Sequence, residues 1–296
     1  MCAIEGKVTP GIRNLRLLIG SVLTERKKLR QIEHWKSQIG NLQCRYNDSM
    51  LRAVLTGAGA AIAACAAGYQ TMSPTGQWYG ATFVGLPRGS KRLALTYDDG
   101  PNDPHTLRLL EVLAHHNVRA TFFLIGRYVA KRPEIARELA KAGHAIGNHT
   151  YSHRNLIFAS GEQTSVEIAE CKRALNDAVG QHSALFRPPF GGRRPETLRR
   201  ARSLGLETVM WRVSGQDWKH RPAEYVTHKV LGHVRGGEVI LLHDGGHAAF
   251  GADRSQTVIA TDRLIPWCKS QGYEFVTIPD MMEGTVLRDQ ARVLSS

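Results

Sequence analysis

Acidic residues are the scarce charged class of this chain: 26 Asp and Glu stand against 39 Lys and Arg, for a formal net charge of +13. Such a balance favours anionic partners, among them nucleic acid, acidic cell-wall polymers and lipid headgroups, without choosing among them. Cysteine is sparse too. The five, Cys2, Cys44, Cys65, Cys171 and Cys268, are far apart and odd in number, with no Cys-x-x-Cys pair, which argues against a disulfide framework and a structural zinc knuckle. Free buried thiols are the expectation, with a Cys171–Cys268 pair as the alternative. Internal repeats, low-complexity tracts and a Leu-rich membrane span are all missing, which sets aside solenoids, collagen-like chains and disorder. What is present, 42% hydrophobic and 22% charged residues over 296 positions, fits one large α/β domain with an appendage.

The appendage is basic. Residues 1–50 hold nine Lys and Arg against four acids, and apolar residues from Leu15 to Leu42 recur among them as on a basic amphipathic helix; an over-extended start is the competing account of residues 1–49. From Ala53 to Ala67 the run AVLTGAGAAIAACAA is small, apolar and uncharged after Arg52, like the core of an export signal or anchor, and a buried Ala-rich helix is the bland alternative. With translation from Met50, Cys65 would sit where a lipoprotein is cleaved and lipidated; with translation from Met1, the positive-inside bias keeps the basic segment cytoplasmic and places everything after Tyr79 outside. Both versions export the remainder. The expected division is 1–49 basic appendage, 50–76 signal or anchor and linker, 77–284 catalytic domain and 285–296 polar tail.

From Arg92 onward, short β-rich runs alternate with helical patterns. Strands are expected from Leu93, Ala120, His144, Leu185, Glu207, Glu238 and Tyr273, and helices near 104–116, 128–142, 162–179, 196–204, 222–234 and 254–271. Such alternation builds a parallel sheet, most simply a (β/α) barrel, whose chemistry collects at the carboxyl ends of the strands.

Polar clusters stand at those ends. The first strand runs into Asp98-Asp99-Gly100-Pro101, where one carboxylate can bind a cation while its neighbour accepts a proton from water, although this tetrapeptide by itself is more often a plain turn. His149 and His153, four apart, would share one face of a helical turn and, with Asp99, form a two-imidazole, one-carboxylate metal site. In Arg187-Pro188-Pro189-Phe190-Gly191 the prolines stiffen a loop whose Phe190 N–H can face an oxyanion, and Arg187 can orient the base. His243 closes an apolar strand as a candidate general acid, with Asp217 to hold it protonated and Trp218 as a flat wall for a sugar ring. Taken singly, each motif has a structural reading; the coincidence of all of them gives weight to the chemical one.

TYDDGP, HTYSH, RPPFG, SGQDW and LLHD, in this order between Arg92 and Ile278, resemble the polysaccharide deacetylases of carbohydrate esterase family 4. The resemblance implies a distorted (β/α)7 barrel and hydrolysis of acetyl groups from an acetylated glycan. It implies one divalent cation, zinc first and cobalt, nickel or manganese as others, on Asp99, His149 and His153. By the same resemblance Asp98 is the base, Arg187 its orienting partner, His243 the acid and Asp217 the acid's partner. Phe190 stands where the family often has Tyr, and Ser214 where it often has Asp, which bears on substrate preference more than on catalysis. The expected enzyme is an extracytoplasmic N-deacetylase of chitin-like glycan or peptidoglycan, associated with the membrane through its N-terminal segment. An O-acetyl esterase and an idle glycan-binding module are the alternatives. Nucleic acid is not expected as a partner, because only charge argues for it.

Overall fold

The computed structural model describes residues 24–38, 48–180 and 184–283. The chain divides into two compact units, Met1–Cys65 and Ala66–Ser296. In the first, residues 24–38 are helical (α1), inside the expected amphipathic segment, whose flanks lie outside the described residues. Helix α2 (Asp48–Met72) contains the apolar run. By length and composition its stretch Arg52–Met72, with a mean hydropathy of 1.3, is long and apolar enough to cross a membrane. Val54, Leu55 and Ile62 on it are exposed, unlike the side chains of a buried Ala-rich helix.

The second unit carries a sheet in the order β5-β4-β3-β2-β1-β7-β6, with β8 paired to the start of β1. Its strands are β1 (Arg92–Gly100), β2 (Thr121–Leu124), β3 (Ala145–Asn148), β4 (Leu185–Phe186), β5 (Glu207–Thr208), β6 (Val213–Ser214), β7 (Val239–His243) and β8 (Glu274–Phe275). Every pairing among them is parallel. Outside lie α3 (His105–His115), α4 (Gly126–Lys131), α5 (Pro133–Lys141), α6 (Gly161–Val179), α7 (Pro195–Ser203), α8 (Ala223–Leu231) and α9 (Ser255–Ser270). The sheet curls into an incomplete barrel, in keeping with the distorted (β/α) barrel expected from the sequence.

Two expected elements are divided. The helix expected at 128–142 is two, because Pro133 has no N–H to continue a helix and drives Arg132 out of the α region (φ −136°, ψ 63°). The strand expected from Glu207 is interrupted between β5 and β6. There, residues 83–86 enter the ladder: Phe83 pairs with Val209, Gly85 bridges Glu238, and Leu86 N–H donates to Gly237. This short segment spans the gap between the β5 edge and β7 and so completes the wall.

Strand parity decides what faces inward. Leu93, Leu95 and Tyr97 of β1 join Ile240 and Leu242 of β7 in the fully or nearly fully buried core beneath the helices, while Ala94 and Val239 join the second cluster, with Phe123, inside the barrel. Each buried Leu or Ile contributes about 1.5–3 kcal/mol. The same alternation carries Asp98 and His243 to the barrel interior at the carboxyl end, where they are register partners on neighbouring strands. Cys171 and Cys268 are buried and free, as expected.

Candidate active site

Asp98, Asp99, His149, His153, Phe190, Trp218 and His243 line one cleft of about 330 Å³, together with Trp211, Leu241 and His247. A larger cavity of about 440 Å³ lies among Ala140, His144, Leu175 and Met282, away from this polar cluster. The smaller cleft is the candidate site, because convergent titratable groups rather than volume make chemistry. Pro189, Arg187 and Asp217 do not line it; they stand behind its walls.

Asp98 and Arg187 form one pole. Arg187 is fully buried, and its Nη1 donates to Asp98 Oδ1 at 2.7 Å and to Thr96 Oγ1 at 2.8 Å. Its Nε and Nη2 donate to the carbonyls of Val209 and Met210, and its Cζ lies 4.0 Å from the centroid of the Phe123 ring. A guanidinium gripped on all sides cannot swing, so it fixes the Asp98 carboxylate with Oδ2 left toward the cleft.

His243 and Asp217 form the other. Asp217 Oδ2 accepts from the backbone N–H of His243 (2.7 Å) and from Thr257 Oγ1 (2.8 Å), while Oδ1 lies 2.9 Å from His243 Nδ1. Burial pushes the His243 imidazole down, but Asp217 outweighs it and raises the group to about 9. At neutral pH both ring nitrogens therefore carry protons, and Nε2 is the one not engaged by Asp217.

Between the poles sits Asp99. Its Oδ1 is 3.1 Å from His153 Nε2 and 3.5 Å from His149 Nε2, and its Oδ2 is 3.8 Å from His247 Nδ1. Burial raises the Asp99 carboxyl, yet the three imidazoles overcome this and hold it well below the ordinary carboxylate range. Burial pushes His153 down, toward the neutral form that a metal requires, with Asp99 opposing. His149 Nδ1 lies 2.7 Å from the carbonyl of Arg187, which can only accept, so Nδ1 holds the proton and Nε2 offers its lone pair. Asp99 Oδ1 is buried without a hydrogen-bond partner, since His153 meets it at ion-pair range without hydrogen-bond geometry. An orphaned anionic oxygen ringed by imidazole nitrogens fits a divalent cation.

His149 and His153 do not share the helical turn that their spacing suggested. Residues 149–153 form a loop in which Thr150 (φ 64°) and His153 (φ 62°) are left-handed. Asn148 Oδ1 accepts from Thr150 N–H, Thr150 Oγ1 from His153 N–H, and Glu167 from Ser152 through both backbone and hydroxyl. Asp99 (φ 73°) and Phe190 (φ 59°) are left-handed too, so backbone strain is concentrated at this cleft. The sequence reading missed His247, although His243-Asp244-Gly245-Gly246-His247 repeats the four-residue spacing of His149 and His153.

The polysaccharide deacetylase family profile matches residues 85–209. The chain is 39% identical over 207 residues to a peptidoglycan-N-acetylglucosamine deacetylase of Bacillus cereus, covering 69% of this chain and 73% of that one. The chain belongs to the polysaccharide deacetylase family. It is also 36% identical over 200 residues to a chitooligosaccharide deacetylase of Sinorhizobium fredii, covering 64% of this deacetylase and 92% of that one. A crystal structure of a peptidoglycan N-acetylglucosamine deacetylase superposes with a TM-score of 0.64 at 38% identity, covering 68% of this chain and 91% of that one.

Proposed function

We propose that this deacetylase is metal-dependent and hydrolyses N-acetyl groups on an N-acetylglucosamine polymer, peptidoglycan or chitin-like, releasing acetate. The observation that carries the reading is the placement of Asp98 and His243 as register partners, each locked by its own buried partner, beside a carboxylate–imidazole cluster. A divalent cation on Asp99, His149 and His153, zinc first and Co, Ni or Mn as others, would supply Lewis acidity toward the acetyl carbonyl and acidify water.

The chain's own residues do the rest. Asp98 Oδ2, left open by the Arg187 grip, takes a proton from the attacking water. The Phe190 N–H, held in the Pro188-Pro189 turn, donates to the developing oxyanion. His243 Nε2–H gives its proton to the departing sugar nitrogen, and Asp217 balances the charge throughout. The half-exposed rings of Phe190 and Trp218 offer flat walls to a sugar. Helix α2 supports an extracytoplasmic location at the membrane, where such glycans lie.

The test is acetate release from chitooligosaccharides and peptidoglycan, with and without chelator and added Zn²⁺ or Co²⁺. Chelator-sensitive release from either supports the reading. Release from acetylated xylan alone would make the enzyme an O-acetyl esterase; glycan binding without release under any metal would make it an idle module.

A further inference from the structure

His247 is not explained by the roles assigned so far. It lies on the loop that follows β7, and with Asp99 and His153 it presents ligand atoms that all fall within 4.8 Å of one another. Its ring stacks on that of His153, with centroids 4.7 Å apart and planes at 20°, and meets the edge of Phe190 at 5.1 Å.

The loop is built to hold it there. Arg254 Nε donates to the carbonyl of Gly245 at 2.7 Å, Tyr128 Oη lies 3.1 Å from the carbonyl of Gly246, and Arg127 Nη2 donates to that of His247 at 2.5 Å. Three successive carbonyls are thus pinned by side chains from α4 and the start of α9. Gly245 allows the close approach: a Cβ there would stand 2.1 Å from the carbonyl oxygen of Asp99. The half-exposed imidazole therefore hangs from a fixed backbone beside the carboxylate that faces His149 and His153.

We propose that His247 is an additional ligand to the divalent cation of this site, filling a position that the Asp99, His149 and His153 set leaves open. The inference rests on the metal dependence proposed above. Two imidazoles and one carboxylate leave room in either a tetrahedral or a larger shell. A ligand whose ring is half exposed can withdraw without opening the core.

The experiment uses the full chain in detergent, stripped of metal, and titrated with Zn²⁺ and Co²⁺ against a chromophoric chelator. His247→Ala should weaken Zn²⁺ binding by at least about 10-fold, the low end of what even indirect metal partners cost. It should also alter the visible absorption of the Co²⁺ form while leaving the thermal midpoint of the stripped protein unchanged. His247→Cys should restore affinity and add a thiolate-to-cobalt charge-transfer band, a signature that a merely structural or sugar-contacting residue cannot produce. Wild-type affinity and spectrum in His247→Ala, or no such band in His247→Cys, would overturn the inference, while metal loss in His149→Ala would keep the parent reading standing. If the wild-type chain binds neither cation, both fall together.

Discussion

Asp98 and Asp99 are adjacent in sequence and differ in what surrounds them. Asp98 Oδ1 is held at 2.7 Å by a buried arginine while its Oδ2 stands 3.7 Å from His149 Nε2, whereas Asp99 is ringed by three imidazoles. Asp98→Asn should therefore keep Zn²⁺ affinity and lose roughly 10²–10⁴-fold in turnover, the usual worth of a positioned base. His149→Ala should lose both; equal affinity and rate in the two variants, by metal titration and acetate release, would dissolve the division of labour. At the other pole, His243 is raised to about 9 by Asp217 against the effect of burial. A general acid works while protonated, so activity should persist through neutrality and decline on the alkaline side as His243 loses its proton. Asp217→Asn removes the raising charge, and the alkaline limb of the kcat profile should move to lower pH; an unmoved limb would take His243 out of the acid's role. Asp98, Asp99, His149, His153, Arg187, Asp217 and His243, which the fold gathers at and behind one cleft, are legible in the sequence because each lies at the carboxyl end of a strand or in the loop that follows it. His247 leaves a fainter trace, its four-residue spacing from His243, and the pinning of three carbonyls by distant elements is what places it.

The wall that holds those residues is made of elements with unequal sequence signals. β1, β2 and β7 are apolar runs flanked by turns and read plainly as strands, while α6 announces itself with a capping box at Ser160 and Gln163 and a left-handed Gly180 at its end. Residues 83–86 read as nothing, since Phe83, Val84 and Gly85 run into Pro87 without alternation, yet they bridge the gap beside β5 and β7. Their partner strands fix them, so the information lies in the far parts of the chain. Gly85 is the pivot: its φ is +121°, and a Cβ there would stand 2.2 Å from the carbonyl oxygen of Gly237. Gly85→Ala should cost at least about 1 kcal/mol, a fall of roughly 2–4 °C in thermal midpoint for a domain this size. Scanning calorimetry decides it, and an unchanged midpoint would mean that the segment is not part of the wall's stability.

At the scale of the whole molecule, one buried acid beside the cleft makes its own contribution to how stability depends on pH. Asp244 is fully buried beside the site, its Oδ2 accepts from Thr106 at 2.5 Å and its Oδ1 has no hydrogen-bond partner among the described residues. Burial pushes its carboxyl up to about 7, Thr106 opposes, and the negative charge of Asp99 adds to the rise. In the unfolded chain the same group ionises near its ordinary value of 3.8. Between those two values the native state binds the extra proton, so this group's contribution is complete below about pH 4 and is lost as pH rises through about 7. A rise from 3.8 to about 7 corresponds to a ceiling of about 4 kcal/mol. Asp244→Asn keeps the hydrogen-bonding shape without the charge. In chelated protein, where no cation offsets the charge of Asp99, urea unfolding from pH 4 to pH 8 should show the wild type losing stability relative to the variant as pH rises, since buried histidines such as His144, pushed down to about 4, add the same rising contribution to both. Parallel profiles would mean that Asp244 is already ionised in the native state, and that the loop joining β7 to α9 tolerates a buried, half-satisfied carboxylate at no cost to folding.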